Sequence, residues 1–254
     1  MDHLRDERVT AESRETIHHT GGVNHGELRE LVLATNNQAK LRELQRIIDE
    51  MGLPIRATCL KDYPRYVEPA ETAHSFQGNA LIKARAAVSR LGIPALADDS
   101  GLAVDVLNQM PGVRSSRWAG PECDDDKNLD LVLAQIDDVP DSQRQARFVS
   151  AVAFVTPDGL ERTEVGEMEG RLIRQRRGSN GFGYDPIFVA DGHTRTNGEL
   201  SAEEKDAISH RGKALRQIMP IVATWMGVVD PAAELPDSDP LGPGHGGWSD
   251  SLRG

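Results

Sequence analysis

The chain of 254 residues carries only two cysteines, Cys59 and Cys123, and they form no CxxC pair. No thiolate zinc site is implied. A disulfide is not needed at this length, so two ordinary thiols in a reducing cytoplasm are the expected state. No apolar run approaches the ~18 residues of a membrane span. The charged N-terminus lacks the apolar stretch of a secretory signal, so none is expected. Positive charge is short as well. Lys and Arg number 29 against 40 Asp and Glu, a formal net charge of -11. That balance disfavours nucleic acid as a partner, which needs clustered cations against phosphates. A small anion can still be held where a few cations converge or a metal mediates. Hydrophobic residues make up 38%, low for a chain packed from end to end.

The shortfall is concentrated at the ends. Residues 1–28 are polar and without aliphatic periodicity, and residues 228–254 are rich in Pro, Gly, Asp and Ser. Neither buries enough apolar area to offset ordering entropy, so both read as disordered tails. His3, His18, His19 and His25 read as part of a solvated tail rather than a metal tract. The body, 29–227, alternates strand and helix patterns. "ELVLAT" (30–35) is a buried strand. Leu41, Leu44, Ile47 and Met51 recur at helical spacing up to Gly52. Further helices are expected over 76–92, 126–136 and from 201 to the end of the body. "PALADD" and "LAVDVL" read as two strands around a Ser100-Gly101 turn. Residues 144–173 read as a hairpin turning at Pro157-Asp158-Gly159. The fold class is α/β with a mixed sheet flanked by helices.

Four stretches carry chemistry. "ATNNQAK" (34–40) runs from a strand end into a helix start. Thr35, Asn36 and Asn37 suit helix capping, and the helix start with Lys40 could hold an anion. Alone, the stretch reads first as ordinary helix capping, and it is not a Walker motif. "ADDSG" (97–101) places two carboxylates where they could ligate Mg²⁺ or act as a base; solvated turn acids are the alternative. Side chains alternate along a strand, so Asp98 and Asp99 should point to opposite faces and differ in role. "GSNGFGYDPIF" (178–188) sets Phe182 between Gly181 and Gly183, where it could stack on a base or turn into the core. In "ELSAEEKDAISHRGKAL" (199–215), Ser201 and Glu204 form a capping box and Ser209 caps the next helix. His210 and Arg211 then oppose the helix dipole and need a compensating partner, such as an anionic or carbonyl-bearing ligand.

Together with "FQGNALIKAR" (76–85) and "NQMPGVRSSRWAG" (108–120), these stretches resemble the inosine triphosphate pyrophosphatase family, in family order over about 29–226. The resemblance implies an elongated, two-lobed α/β protein with a nucleotide groove between the lobes, a homodimer, and Mg²⁺ as cofactor. It implies hydrolysis of deaminated purine nucleoside triphosphates (ITP, dITP, XTP) to the monophosphate and pyrophosphate. By the same resemblance, Asp99 is the proton acceptor and, with Glu71, metal-linked. The start segment Thr35, Asn36, Asn37, Gln38, Ala39 and Lys40 holds the triphosphate, joined by Lys83 and Lys205, and Ser100 lies against the substrate. Phe182, Gly183, Tyr184 and Asp185 form the base loop. Ser209, His210 and Arg211 read the purine oxo group. A Maf-type pyrophosphatase and a catalytically silent nucleotide binder are the rival readings.

The chain departs from the family pattern at Ala70, where an acid is common, and at Ala73-His74, which follow Glu71-Thr72. Both bear on metal geometry at Glu71. "GEMEG" (166–170) and Asn108-Gln109-Met110 also differ, and are expected to lie away from the motifs. Within the acid pair, Asp99 is expected to face metal and water, with Asp98 as its support.

Overall fold

The body begins with a short segment whose Leu31, Val32 and Leu33 are all driven out of water. In the computed structural model, which describes residues 28–229, this run is strand β1 (Arg29–Leu33). Helix α1 (Gln38–Glu50) follows, capped by Asn37 and burying Leu44, Ile47 and Ile48. Next come β2 (Ile55–Cys59) and α2 (Phe76–Leu91). Helix α2 presents a small-residue face, Ala80, Ala84 and Ala87, flat enough to lie on a sheet, and stops at the left-handed Gly92. Strand β3 (Ala95–Val104), β4 (Met110–Pro111) and α3 (Asp125–Gln135) lead into the hairpin β5 (Gln145–Val155) and β6 (Glu161–Leu172). Strand β7 (Phe188–Ala190), α4 (Ala202–Ile208) and α5 (His210–Trp225) close the chain.

One mixed sheet has the order β2-β1-β3-β5-β6-β7, with β4 on β3. Strand β1 runs parallel to β2 and β3, and the pairs from β3 to β7 are antiparallel. Side-chain alternation sorts the core. Leu31, Leu33, Leu96, Val152 and Phe154 meet α1 and α5 on one face, while Val32, Ala95, Ala97, Ala153 and Val155 meet α2 on the other. The long strands β3, β5 and β6 continue into a third core, where Leu102, Phe148 and Met168 pack with Leu129 and Val132 of α3. The first two cores lie on either face of one lobe and the third fills the other, and the candidate site lies where the lobes join. The mixed α/β architecture is the one expected.

Three details differ from expectation. Strand β3 runs unbroken through Ser100 and Gly101, paired to β5 along its whole length. Gly101 is required by crowding: a Cβ there would stand 2.5 Å from both the Gly112 carbonyl and Ser115 Oγ. Strand β2 has no counterpart in the sequence pattern, because only its last residues and Ile55 are buried. The core also extends past residue 227, since Val228 is buried with the α1–α5 face. Of the expected tails, 1–28 and 228–254, residues 1–27 and 230–254 lie outside the described residues. Among those described, no helix is long and apolar enough to cross a membrane.

Candidate active site

The sheet opens beside the acid pair. Strand β1 pairs with β3 only at Ala95 and Leu96, and β4 only at Ala103 and Val104. Between them, β3 has β5 on one side and no strand on the other. Its freed backbone groups find side chains instead. Ser115 Oγ accepts from the Leu102 amide at 2.8 Å, and Lys83 Nζ donates to the Asp98 carbonyl at 3.2 Å. A cavity of about 350 Å³ occupies the gap, lined by Asp98, Asp99, Glu71, Lys83 and Lys40 among others. A second, of about 790 Å³, lies beyond Phe182, Lys205, His210 and Arg211, and these four residues line both.

The two acids part as alternation requires. Asp98 turns to the α1–α5 face, where its Oδ2 accepts from Lys40 Nζ at 2.7 Å and Arg211 Nε at 3.2 Å. Burial alone would raise this carboxyl, but Lys40 and then Arg211 hold it well below the usual range. Asp99 turns to α2 and accepts from Asn79 Nδ2 at 3.0 Å and Lys83 Nζ at 3.1 Å. Here burial wins. Lys83 and Asn79 pull the carboxyl down, Glu71 adds to the rise, and the group stays above its ordinary value.

Lys83 lies between carboxylates, 2.6 Å from Glu71 and 3.1 Å from Asp99. Burial pulls its ammonium down, yet Asp99 and Glu71 outweigh burial and hold it above its ordinary value. The other Glu71 oxygen meets Arg117 Nη1 at 3.2 Å. Burial pushes the Glu71 carboxyl up, and Lys83 and Arg117 bring it below the usual range. Among the described residues, no group of three or more His, Cys, Asp or Glu converges. Glu71 and Asp99 are the carboxylates that could offer hard oxygen ligands to a divalent metal. The Lys83 ammonium stands between the same two carboxylates.

The start segment divides. Asn37 and Lys40 line the smaller cavity and Ala39 the larger one. Asn37 Oδ1 accepts from the Ala39 and Lys40 amides at 2.8 and 3.4 Å, so capping uses helix-start donors expected for an anion. Thr35 Oγ1 accepts from the Asn37 amide, Asn36 donates to Glu68, and Gln38 donates to Cys59 Sγ. Ser100 bonds Ser150 Oγ at 2.8 Å at the cavity wall.

The glycine-rich loop is built around Asp185. Its Oδ2 accepts from the Phe182 amide at 2.9 Å and Lys205 Nζ at 2.5 Å. Gly181, at φ 76°, leaves no room for a Cβ, which would stand 2.1 Å from that oxygen. The Gly183 amide is held by Asp125. The result is that Phe182 is 69% exposed, with the Lys205 ammonium 4.8 Å from its ring centroid. It is not a core residue. Tyr184 is: its hydroxyl donates to the Ser115 carbonyl at 2.8 Å within the third core.

Arg211 finds its compensating partners inside the protein, not in a ligand. Its Nη1 donates to Glu43 at 3.0 Å besides the bond to Asp98. His210 stacks on Phe148 with centroids 5.3 Å apart, and its Nδ1 is buried without a partner. Burial, then the charge of Arg211, brings the imidazole down to about 3, so it is neutral and no cation opposes the dipole there. Ser209 caps α5 and donates to Glu43. Gly166 of "GEMEG" is not remote from the motifs. A Cβ there would stand 2.1 Å from the His210 carbonyl, so this glycine lets α5 begin against β6.

Sequence reasoning passed over Asn79, Glu43 and Arg117. The first two had a signal. Asn79 lies four residues before Lys83 on α2, and Glu43 three after Lys40 on α1, so each shares a helix face with a candidate. Arg117 follows the Ser115-Ser116 pair in a segment without helical or strand periodicity, and had none.

The Ham1 family model matches residues 31–221. A dITP/XTP pyrophosphatase of Corynebacterium efficiens is 52% identical over 204 residues, spanning 78% of this chain and 99% of the relative. One from Frankia alni is 55% identical over 193 residues, 74% of this chain and 94% of the relative. The crystal structure of a nucleoside-triphosphatase (dITP/XTP pyrophosphatase) from Mycobacterium abscessus superimposes with a TM-score of 0.66 at 50% identity, covering 76% of this chain and 99% of that one.

Proposed function

The chain belongs to the Ham1 family, and from that premise we propose that it hydrolyses deaminated purine nucleoside triphosphates (ITP, dITP and XTP) to the monophosphate and pyrophosphate, clearing them from the nucleotide pool. The observation that carries this is the junction cavity. A buried carboxylate of raised proton affinity, Asp99, shares it with Lys40, Lys83 and Arg211, and an exposed aromatic, Phe182, stands at its wall beside Lys205. That is the polarity of a nucleoside triphosphate: anionic tail, flat base.

Asp99 orients and deprotonates the water that attacks phosphorus, and its raised affinity for the proton makes it the better base of the pair. Lys83 holds it in place until substrate arrives. Lys40 spends one ammonium proton on Asp98 and has two others for phosphate oxygens. Mg²⁺, held by Glu71 and Asp99, would supply Lewis-acid neutralisation of the phosphate charge. Phe182 offers its ring to the base, while Lys205 reinforces the loop through Asp185. Arg211, fixed by Asp98 and Glu43, presents its remaining N–H groups as donors suited to a 6-oxo group. Adenine would set an amino donor against them, leaving buried groups unpaired.

The working unit is residues 29–227, with the terminal segments outside it, and the family resemblance supports a cytoplasmic homodimer. Light scattering in solution checks the assembly. The function is checked by pyrophosphate release from ITP, XTP, dITP, ATP and GTP, with and without Mg²⁺. Equal kcat/KM for ITP and ATP would reject the base reading, and release from none would reject the activity.

A further inference from the structure

We propose that Lys83 is a resident counter-ion that keeps free divalent cations off the Glu71–Asp99 carboxylate pair, so that the metal enters only together with its nucleotide. This rests on reading the cavity as a metal-dependent nucleotide site. The geometry is that of a coordinated cation. Lys83 Nζ meets Glu71 Oε1 at 2.6 Å, Asp99 Oδ1 at 3.1 Å and the Asp98 carbonyl at 3.2 Å. Three acceptors satisfy the three donors of an ammonium. These are the oxygens a hard cation would use.

Charge balance gives the consequence. Glu71 and Asp99 are matched by Lys83 and Arg117, so this set of four is neutral. A lone divalent ion would have to give up hydration water, displace the ammonium, and leave an enclosed site carrying excess positive charge. An ion arriving on a triphosphate brings its own anionic oxygens. The displaced ammonium then has somewhere to go, since phosphate replaces carboxylate as its acceptor. The flexible four-carbon stem of lysine permits this exchange while α2 stays in place. One side chain thus serves twice, first shielding the carboxylates from bare metal and then stabilising the triphosphate.

The experiment titrates Mn²⁺ alone into the nucleotide-free full-length protein and reads free Mn²⁺ by electron paramagnetic resonance. The proteins are wild type, Lys83→Met, Lys83→Gln and Lys83→Arg. The two neutral variants should bind Mn²⁺ at least about tenfold more tightly than wild type, and Lys83→Arg should stay as weak as wild type. The gain should vanish in Lys83→Met/Asp99→Asn. Neutral variants no tighter than wild type would overturn the proposal, as would a gain that survives loss of the Asp99 carboxylate. If Lys83→Met lacks a cooperative thermal transition, the Gln and Arg pair still decides. No nucleotide is present, so the titration reads out whether or not the pyrophosphatase assay succeeds.

Discussion

The two faces of β3 at the acid pair offer opposite electrostatic environments to adjacent residues. Asp98 and Asp99 are adjacent and almost equally buried, 5% and 8% exposed. One has two cations on a single oxygen, and its carboxyl is driven down. The other faces an amide and a lysine that it shares with Glu71, and its carboxyl is raised. Identical side chains are thus divided into a carboxyl of lowered and one of raised proton affinity by which helices lie over each face. The α1–α5 face supplies anchoring cations, and the α2 face carries the carboxyl proposed as the base.

The sharpest break of this contrast is on the α2 face. Asp99→Asn should lower kcat for ITP by at least about 10²-fold. An amide of the same shape can keep a contact with Asn79, so the thermal midpoint should move little. Near-normal pyrophosphate release from this variant would remove Asp99 from the chemistry.

Asp98→Asn should fail differently. It leaves Lys40 and Arg211 without their shared anion, and breaking a buried pair of this kind costs about 3–5 kcal/mol of stability. KM should rise more than kcat falls. The pH dependence follows from the depressed carboxyl. Its contribution is complete above the unfolded value near ~4 and is lost as pH falls through the folded value. Urea titrations should therefore show a shallower acid limb in the variant. An unchanged stability with a collapsed kcat would reverse the two roles.

The division itself was legible in the sequence, because strand periodicity alone puts neighbours on opposite faces. So was the general α/β order, carried by aliphatic spacing and by Gly52 and Gly92 at helix ends. The unbroken course of β3 was not. Ser100-Gly101 has turn composition, and only the tertiary crowding at the Gly112 carbonyl explains the glycine. The partners of Arg211 were hidden for a related reason. Two positive residues in a first helical turn suggest a ligand, whereas the packing of α5 on α1 provides Glu43, and burial neutralises His210. What periodicity reveals is the face a residue occupies; which distant helix covers that face is a long-range fact.

His210 tests the anchor side at the next level down. Its folded value is depressed to about 3 against an ordinary value near ~6.5. A depressed value means that stability is complete above ~6.5 and is lost as pH falls from there towards 3, because the unfolded chain takes the proton first. At pH ~5 the loss is about 2 kcal/mol. His210→Phe, which keeps a ring against Phe148, should flatten stability over that window in urea titrations. An equal slope in both proteins would show that His210 is not held neutral.

The same contrast recurs on a smaller scale within the glycine-rich loop, where Phe182 is exposed and Tyr184 is core. Phe182→Ala should leave stability intact and lower kcat/KM for ITP about tenfold, the worth of one base stacked on an aromatic ring. Tyr184→Phe should do the reverse. It deletes one buried hydrogen bond, to the Ser115 carbonyl, for about 1 kcal/mol. Burial holds this phenol protonated far above its ordinary range, so no charge is lost with the hydroxyl. The bond ties the loop to the segment that carries Ser115, which in turn caps the open edge of β3. A loss of kcat/KM beyond about threefold in Tyr184→Phe, at unchanged stability in urea, would mean that the hydroxyl leaves Ser115 for the substrate. Tyr184 would then belong with Phe182 rather than with the core beneath it.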